Sequence, residues 1–358
     1  MRVLVTGHRG YIGSPLVERL KAAGHEVVGV DTELYEDCTF GGNKDSGIPT
    51  INRDIRELSP ADLAGIDTIA HLAGICNDPL GDLLPEITYD VNYAATVRLA
   101  EIAKASGVRR LIFSSTCSVY GAAGQEWIDE HSEPNPITPY AISKWKAEVD
   151  LRRLANADFS PVFLRSATAY GFSPRIRFDL VVNNLTAHAF TSGKVLLKSD
   201  GMSWRPIVHI EDIGRAFVAA IEAPVETVHN QIFNVGITTE NYRIREIAQI
   251  VEETVPGSHV EFATGAGPDK RTYRVDCSKI SRLLPKFRPQ WTARRGARDL
   301  HNRYTEHGLL LEDFEGERYQ RLAYLQSLMA RGAIDGNLRW VVPAANLETS
   351  AAPSHKTV

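Results

Sequence analysis

The chain has few cysteines for its length, and their spacing excludes the sites that cysteines most often build. Only four occur in 358 residues, at Cys38, Cys76, Cys117 and Cys277. They lie far apart and form no CxxC pair, so the pattern carries no zinc signature and no metal is expected. So few scattered thiols fit the reducing environment of the cytoplasm.

Excess charge and long apolar runs are also missing. The formal net charge of −4 gives no general attraction to nucleic acid or to a membrane surface. No apolar run approaches the roughly 20 residues that span a bilayer. The sequence also shows no basic leader followed by an apolar segment, the pattern that would predict export. We therefore expect a cytoplasmic protein with no nucleic-acid or membrane partner. Its 43% of hydrophobic residues suffice for a substantial core and two lobes.

What the sequence does contain begins in its first 31 residues. Residues 2–6 have the apolar composition of a strand. Three glycines follow at GxxGxxG spacing: Gly7, Gly10 and Gly13. Residues 14–23 then show helical spacing, and residues 26–30 form a second predicted strand that ends at Asp31. Strand, glycine turn, helix, strand and acid in this order predict a dinucleotide site.

The glycine turn and the acid also predict which dinucleotide binds. A turn without side chains lets the backbone approach a pyrophosphate, and the positive end of the helix dipole faces the phosphates. Asp31 can accept hydrogen bonds from an adenosine ribose, and its charge would repel a 2′-phosphate. Arg9, inside the turn, would instead meet a 2′-phosphate. The acid favours NAD, with NADP as the alternative.

Strands and helices alternate through the first half, which predicts an α/β fold with a Rossmann-type, doubly wound parallel sheet. Ligands of such sheets collect beyond the carboxyl ends of the strands. Candidate residues follow three predicted strands: Asp54 and Ile55; Leu72, Ala73 and Gly74; Ser114, Ser115, Thr116 and Cys117. Asp54 can meet an adenine amino group. Arg109 and Arg110 precede the third strand and are expected to be solvated.

The remaining segments predict a second lobe and an extension. A long helix over 86–106 carries Asn92, and another over 314–329 is expected to dock on the body. After the first lobe the alternation loosens, which indicates a smaller α/β substrate-binding lobe woven from later segments. The predicted parts are a Rossmann domain over 1–170 with returns near 205–240, an interwoven substrate lobe over 171–300, a helical extension over 301–342 and a disordered tail over 343–358.

Tyr140 and Lys144 form the clearest chemical pair. They stand four residues apart in a predicted helix and therefore share one face. A tyrosine with a pKa of about 10 is a poor base at neutral pH, but a lysine cation one turn away stabilises the phenolate. Tyr140 can then take a hydroxyl proton while hydride leaves the same carbon. Thr116, or alternatively Ser115, would donate a hydrogen bond to that substrate oxygen.

Together these motifs resemble a known family. From residue 1 to about residue 298 the chain is similar to the extended short-chain dehydrogenase/reductases. The likeness is to their nucleotide-sugar epimerase/dehydratase branch, which includes UDP-glucose 4-epimerase. Further residues that carry the resemblance are Asn92, Arg165, Tyr170, Gly171, Asn183, Asn184, Leu185, Arg205, His209, Asp212, Asp276, Cys277, Ser278 and Lys279.

The resemblance implies an NAD-dependent enzyme that binds a nucleotide-diphosphate sugar between its lobes. It also implies a homodimer joined through the helices of Asn92 and Tyr140. Cofactor contacts fall on Gly7, Arg9, Gly10, Tyr11, Ile12, Gly13, Asp31, Asp54, Ile55, Leu72, Ala73, Gly74, Asn92, Ser114, Tyr140 and Lys144. Substrate contacts fall on Cys76, Asn77, Thr116, Thr168, Asn183, Asn184, Arg205 and Arg271.

The resemblance also implies individual roles. Tyr140 would be the acid/base, and Lys144 would hold the nicotinamide ribose. Thr116 would orient the sugar hydroxyl. Asn184 and Arg205 fall where the family binds the substrate diphosphate, and a guanidinium makes charge-assisted bonds to phosphate.

Departures from the family pattern leave the reaction open. Related 4,6-dehydratases place Asp-Glu directly after the threonine, where this chain has Cys117 and Ser118. Cys76 replaces a lysine of the 4-epimerase, and Thr168 replaces an expected asparagine. The leading hypothesis is a redox isomerase that forms a transient keto sugar and returns the hydride. The alternatives are a dehydratase with Cys117 as catalytic acid/base, an NADPH-dependent 4-ketoreductase and a non-catalytic NAD-binding scaffold.

Overall fold

The chain folds around a central sheet of seven parallel strands. The computed structural model describes residues 1–42, 46–76, 78–121, 124, 126–267 and 272–341. Its strands are β1 (Arg2–Thr6), β2 (Glu26–Asp31), β3 (Thr50–Asn52), β4 (Thr68–His71), β5 (Arg110–Thr116), β6 (Trp127–Ile128), β7 (Ser160–Ser166), β8 (Thr168–Tyr170), β9 (Lys194–Ser199), β10 (Trp204–His209), β11 (Ile232–Val235), β12 (Asn241–Arg243), β13 (His259–Gly267) and β14 (Arg274–Val275). The central order is β11-β7-β5-β4-β1-β2-β3, and smaller sheets join β12-β10-β8, β13-β9 and β14-β6.

Helices cover both faces of the central sheet and build the second lobe. They are α1 (Gly13–Ala22), α2 (Asp78–Leu83), α3 (Pro85–Tyr89), α4 (Ala95–Ala105), α5 (Pro139–Leu154), α6 (Val181–Ser192), α7 (Ile210–Glu222), α8 (Val225–Val228), α9 (Ile244–Thr254), α10 (Ser278–Leu283), α11 (Ala293–His307), α12 (Leu311–Glu315) and α13 (Arg321–Ala330). Within the described ranges, none of them has the length and apolarity that crossing a bilayer would need.

The order of the strands creates a crevice at the middle of the sheet. From β1 the chain proceeds outward through β2 and β3 on one side, and then through β4, β5, β7 and β11 on the other. Because the winding changes direction between β1 and β4, the loops after these two strands diverge. The sequence-based prediction of a doubly wound parallel sheet is confirmed.

The alternation of strand residues explains the two helical layers. In β1, Val3 and Val5 are buried in a core that includes residues of α1 and α7, whereas Leu4 is buried in a core that includes residues of α4 and α5. A third core, around Tyr170 and Tyr304, belongs to the second lobe and joins α6, α9 and α11. Burying one such aliphatic side chain stabilises the fold by about 1.5–3 kcal/mol.

Of the two long helices predicted, one is continuous and the other is broken. The helix expected over 86–106 is confirmed, because the backbone stays helical from α3 through a π-helical turn over Asp90–Ala94 into α4. The helix expected over 314–329 is wrong as one element, because the chain is extended at Gly316 and Gln320, between α12 and α13. The apolar spacing persists across that break, since the separate pieces still bury one face.

The prediction that Arg110 is solvated is also wrong. Arg110 is buried at the start of β5, and one guanidinium nitrogen donates to the carbonyls of Ala220 and Ile221, both at 2.7 Å. Those carbonyls lie in the last turn of α7, where intrahelical donors are lacking. Arg110 therefore caps a helix that is about a hundred residues away in sequence.

Candidate active site

A cavity of about 1240 Å³ opens at the crevice, between the central sheet and the second lobe. Its wall includes the glycine turn after β1, the ends of β2, β4 and β5, and the start of α5. Thr168 and Arg205 line it from the second lobe. A single small-molecule site measures about 300–1,000 Å³, so this cavity has room for a dinucleotide and a second ligand.

The glycine turn is shaped for close approach of a ligand. Gly7 has a φ of +72°, and a Cβ there would stand 2.8 Å from the backbone nitrogen of Ala73. A Cβ on Gly13 would collide with the carbonyl of Gly7. Both positions need glycine, and the turn brings the first N–H groups of α1 to the cavity. These features fit a dinucleotide pyrophosphate.

Tyr11, within the same turn, ties the turn to the second lobe. Its hydroxyl donates to the carbonyl of Gly171 at 2.7 Å and accepts from the Nδ2 of Asn183 at 2.9 Å. The Tyr11 hydroxyl therefore makes its hydrogen bonds within the protein. Gly10, Tyr11 and Ile12 all line the cavity.

Asp31 is held by the backbone at the end of β2. Its carboxylate accepts from the N–H of Arg9 and the N–H of Glu33, both at 2.9 Å. Burial raises its pKa, and the hydrogen bond from Arg9 opposes that shift. The Arg9 guanidinium forms an ion pair with Glu33 and does not line the main cavity. Its charge is compensated, which removes the reason to expect a 2′-phosphate.

Asp54 and Ile55 line the cavity beyond β3, as the prediction of an adenine pocket requires. The Asp54 carboxylate receives the guanidinium of Arg56, at 2.7 Å from its Nη2 and 3.0 Å from its Nε. These hydrogen bonds lower the pKa of Asp54 against the effect of burial. Leu72, Ala73 and Gly74 line the same cavity after β4.

The chemical pair stands at the start of α5. The hydroxyl of Thr138 caps this helix by accepting from the N–H of Ala141 at 3.3 Å, and Pro139 occupies its first turn. Tyr140 and Lys144 then face the cavity, opposite Thr116 at the end of β5. A hydrogen bond between Thr116 and Tyr140 lowers the pKa of the phenol, although burial raises it more.

Lys144 is a buried cation in the wall of the cavity. Its Nζ donates to the carbonyl of Ser114 at 3.0 Å and lies 4.7 Å from the centre of the Phe113 ring. Burial lowers its pKa to about 8, and the nearby Glu148 carboxylate opposes that shift. The lysine is therefore fixed one turn from Tyr140.

A buried ion pair stabilises the position of α5, the helix that carries Tyr140 and Lys144. Glu148 lies one turn after Lys144 and pairs with Arg165 of β7, at 2.6 Å from Nη2 and 3.0 Å from Nε. Glu148 also accepts from the hydroxyl of Ser115, and Arg165 donates to the Tyr120 hydroxyl at 3.0 Å. The network ties α5, which carries Tyr140, to β5, which carries Thr116.

Asn92, predicted as a cofactor contact, is placed behind the wall of the cavity. Asn92 is fully buried in the π-helical turn and does not line the cavity. Its side chain accepts from the N–H of Ile75 and donates to the carbonyl of Ile75, both at 2.7 Å, and donates to Ser143 at 3.3 Å. Asn92 therefore positions the Gly74–Ile75 loop, and the π-helical turn brings its amide there.

Besides Thr116, four predicted substrate residues line the cavity: Cys76 in the loop after β4, and Thr168, Asn184 and Arg205 on the opposite side. Asn183 does not, because its side chain is buried and bonded to the N–H of Gly171 and to the carbonyl of Arg177, both at 2.9 Å. It is a structural residue, which corrects the prediction. Asn77 and Arg271 lie outside the described residues.

Cys117 does not belong to the site. Its side chain is 1% exposed, does not line the cavity and lies 3.1 Å from the carbonyl of Arg165 in the protein interior. Burial raises the pKa of the thiol. The chain turns into a 3₁₀ helix after β5, so Cys117 faces inward while Thr116 and Ser118 line the cavity. A role for Cys117 as acid/base is contradicted.

Arg177 is the main cavity residue that sequence reasoning missed. Its guanidinium pairs with Asp179 at 2.6 and 3.0 Å and donates to the Sγ of Cys76 at 3.1 Å. Its positive charge lowers the pKa of Tyr140. The signal for it was weak, because an arginine in an irregular segment has no helix or strand periodicity to mark its direction.

Comparison with known proteins agrees with this geometry. The model of the NAD-dependent epimerase/dehydratase family matches residues 3–236. A UDP-glucose 4-epimerase of Mycolicibacterium smegmatis is 32% identical over 79% of this chain and 92% of that protein. UDP-glucuronic acid decarboxylase 4 of Arabidopsis thaliana is 30% identical over 83% of this chain and 67% of that protein.

A solved structure extends the likeness to three dimensions. The UDP-glucuronic acid 4-epimerase of Bacillus cereus, in complex with UDP-glucuronic acid and NAD, superposes with a TM-score of 0.71. It is 27% identical, and the match covers 86% of this chain and 99% of that one. With a family model that matches well over half of its length, this chain belongs to the NAD-dependent epimerase/dehydratase family of extended short-chain dehydrogenase/reductases, and its cofactor is NAD.

Proposed function

We propose that the protein is an NAD-dependent UDP-sugar 4-epimerase. The observation that carries the proposal is the set of Thr116, Tyr140 and Lys144 around one end of a cavity whose other end fits NAD. UDP-glucose 4-epimerases from several organisms among its relatives support the reaction and the nucleotide. The substrate proposed is therefore a UDP-hexose bound between Tyr140 and Arg205.

The residues of this chain divide the work of the reaction. Thr116 donates a hydrogen bond to the C4 oxygen of the sugar, and Tyr140 accepts the proton of that hydroxyl. Bound NAD⁺ supplies the chemistry of accepting hydride from C4 and returning it. Lys144 stabilises the Tyr140 phenolate electrostatically. Arg205 and Asn184 hold the diphosphate, so the transient keto sugar can turn and present its other face without leaving.

The alternatives fit the site less well. A dehydratase needs an acid and a base beside Thr116, and the thiol of Cys117 points into the interior. A reductase that consumes NADPH needs a free cation for the 2′-phosphate, whereas Arg9 is paired with Glu33. A non-catalytic scaffold would have no use for Lys144 buried beside Tyr140.

A UDP-uronic acid is the second candidate substrate, and Arg177 favours it. A guanidinium in the cavity close to Tyr140 can bind a carboxylate at C6. In its present arrangement Arg177 already pairs with Asp179, so an acidic sugar would have to share it. The neutral hexose remains the first choice for this reason.

The test is to incubate the purified enzyme, without added NAD, with UDP-glucose or with UDP-glucuronic acid and to follow the sugar by proton NMR. We expect the 4-epimer of UDP-glucose to accumulate until equilibrium. Tyr140→Phe should lower kcat by about 10²–10⁴-fold with its NAD content unchanged, and Tyr89→Phe serves as the matched control outside the cavity. Conversion of UDP-glucuronic acid alone would select the second candidate, and activity retained in Tyr140→Phe would refute the mechanism.

We also propose a cytoplasmic homodimer that packs through α5 and the π-helical turn. Tyr89 and Tyr93 present a partly exposed aromatic surface there, with the Nζ of Lys146 5.3 Å and 5.9 Å from their ring centres. Four free cysteines fit a reducing compartment. Sedimentation should give a dimer that Tyr89→Glu separates into monomers, whereas a monomeric wild type would refute the proposal.

A further inference from the structure

The C-terminal segment over 311–341, here called the strap, packs against the adenosine end of the cofactor site. We propose that the strap completes the NAD site: Leu338 forms part of the adenine wall, and Arg321 supplies a cation near the pyrophosphate. The strap would thereby keep NAD on the enzyme between turnovers. This inference rests on NAD as the cofactor and does not depend on which sugar is the substrate.

Apolar packing joins the strap to the loops that flank NAD. One buried cluster combines Tyr324, Leu325 and Leu328 of α13 with Cys38 from the loop after β2 and Ile75 from the loop after β4. These two loops follow Asp31 and Gly74, which both line the cavity. The strap is therefore part of the structure that keeps the two sides of the crevice together.

Hydrogen bonds from the strap end on the same loops. Arg318 donates to the carbonyl of Asp37 at 2.7 Å, and the hydroxyl of Tyr324 donates to the carboxylate of Asp37 at 2.9 Å. The indole nitrogen of Trp340 donates to the carbonyl of Thr32, directly after Asp31, at 2.6 Å. The strap thus fixes the position of the residues that follow Asp31.

A second set of bonds ends beside Asp54. Arg56, whose guanidinium holds the Asp54 carboxylate, donates to the carbonyl of Asn337 at 2.9 Å. Arg339 of the strap pairs with Glu57. The strap therefore contacts residues next to both predicted adenosine residues, Asp31 and Asp54.

Leu338 enters the cavity from a strained turn. It has a φ of +57°, which a leucine rarely adopts, and its N–H donates to the carbonyl of Asp335 at 3.0 Å. The side chain is 3% exposed and lines the cavity together with Ile55. A strained backbone held by its surroundings often marks a functional position, and here it presents an apolar side chain where adenine would stack.

Arg321 brings a cation to the glycine turn. Its guanidinium lies 4.0 Å from the centre of the Tyr35 ring and donates to the carbonyl of Arg175 at 3.1 Å. The residue lines the cavity with Gly10 and Tyr11, and its Nε has no hydrogen-bond partner among the described residues. A buried donor on a cation beside the pyrophosphate cradle is suited to a phosphate oxygen.

Retention of the cofactor is useful to an enzyme that removes a hydride from its substrate and then returns it. Hydride taken from the sugar must return to the same molecule, so loss of the reduced cofactor between the two transfers would leave a keto sugar behind. A strap that covers the adenosine end slows dissociation without touching the reacting carbon. Its effect is therefore on the release of NAD and not on the chemical step.

The test measures exchange of bound NAD for isotopically labelled NAD by mass spectrometry of the intact enzyme. Arg321→Met should raise the rate of NAD release about tenfold or more, the loss expected for one hydrogen bond to a charged group. Arg331→Met, directly after the same helix and outside the cavity, should exchange like the wild type. Equal rates for both variants and the wild type would overturn the role of Arg321.

Leu338→Ala and Trp340→Phe test the last part of the strap, which contains both residues. Leu338→Ala should raise the release rate and weaken binding of AMP, which occupies only the adenosine end. Trp340 is 45% exposed, so Trp340→Phe chiefly removes its bond to Thr32 and keeps the fold even if Leu338→Ala does not. Trp340→Phe should raise the rate of NAD release several-fold. Unchanged NAD release in Trp340→Phe and unchanged AMP binding in Leu338→Ala would overturn the proposal, whatever the enzyme does with sugars.

Discussion

Removing one charge from the buried Glu148–Arg165 pair should destabilise the protein strongly. Both side chains are almost completely buried, at 2% and 4% exposure. Glu148→Gln keeps the shape of the side chain but leaves the Arg165 guanidinium without a counter-charge. An uncompensated buried charge costs about 3–5 kcal/mol of the free energy of unfolding, and at about 2.1 cal/mol/K of unfolding entropy per residue the melting temperature should fall by about 4–7 °C.

The matched control removes both charges. In the double variant Glu148→Gln/Arg165→Met no charge is left unpaired, so its free energy of unfolding should lie within about 2 kcal/mol of the wild type. Both variants would be compared by urea unfolding and by calorimetry on the enzyme with its NAD. A loss below about 1 kcal/mol in the single variant, or a double variant as unstable as the single one, would refute the reasoning.

Three further predictions follow from individual contacts. Arg110→Met should lower the free energy of unfolding by about 1.5–3 kcal/mol because the end of α7 loses its cap, whereas the exposed neighbour Arg109→Met should change it little; equal effects would contradict the cap. Asn92→Leu should weaken NAD binding at least tenfold by leaving the N–H and carbonyl of Ile75 unpaired. Ser143→Ala loses the 3.3 Å bond from Asn92 and its own bond to the carbonyl of Tyr140, but it keeps both bonds between Asn92 and Ile75 and should retain NAD binding; tight binding in Asn92→Leu would contradict the positioning role. Lys144 has a pKa of about 8 in the folded protein, so the unfolded chain binds this proton more tightly. The free-energy cost of burying the cation is therefore fully present below pH 8 and is relieved between pH 8 and 10.5. Urea unfolding of the cofactor-free enzyme would measure the difference in free energy of unfolding between Lys144→Met and the wild type, and this difference should shrink by about 3 kcal/mol across that pH range. Lys146→Met is the exposed control. A difference between Lys144→Met and the wild type that does not change with pH would contradict the prediction.

Local patterns were read correctly because their geometry is local. The glycine turn needs only the spacing of Gly7, Gly10 and Gly13, and α1 begins within it. Tyr140 and Lys144 share a face of α5 because four residues make about one turn.

The sequence did not show the direction of side chains whose orientation depends on a distant partner. Asn92 and Asn183 looked like ligand-binding amides, yet one holds Ile75 and the other holds Gly171. Cys117 follows a strand end directed at the cavity, but the 3₁₀ helix after β5 points the thiol toward Arg165. None of these partners is near in sequence, so no periodicity could reveal them.

By itself the sequence determined the class of fold, the NAD turn and the pair of Tyr140 and Lys144, because glycine geometry, helical periodicity and strand composition act over a few residues. Only the tertiary structure decided that Arg177 faces Cys76 in the cavity and that Leu338 and Arg321 line the same cavity. Those positions come from packing between segments up to about three hundred residues apart. Such contacts are selected by shape and burial in the folded chain, which the order of residues along one segment does not encode.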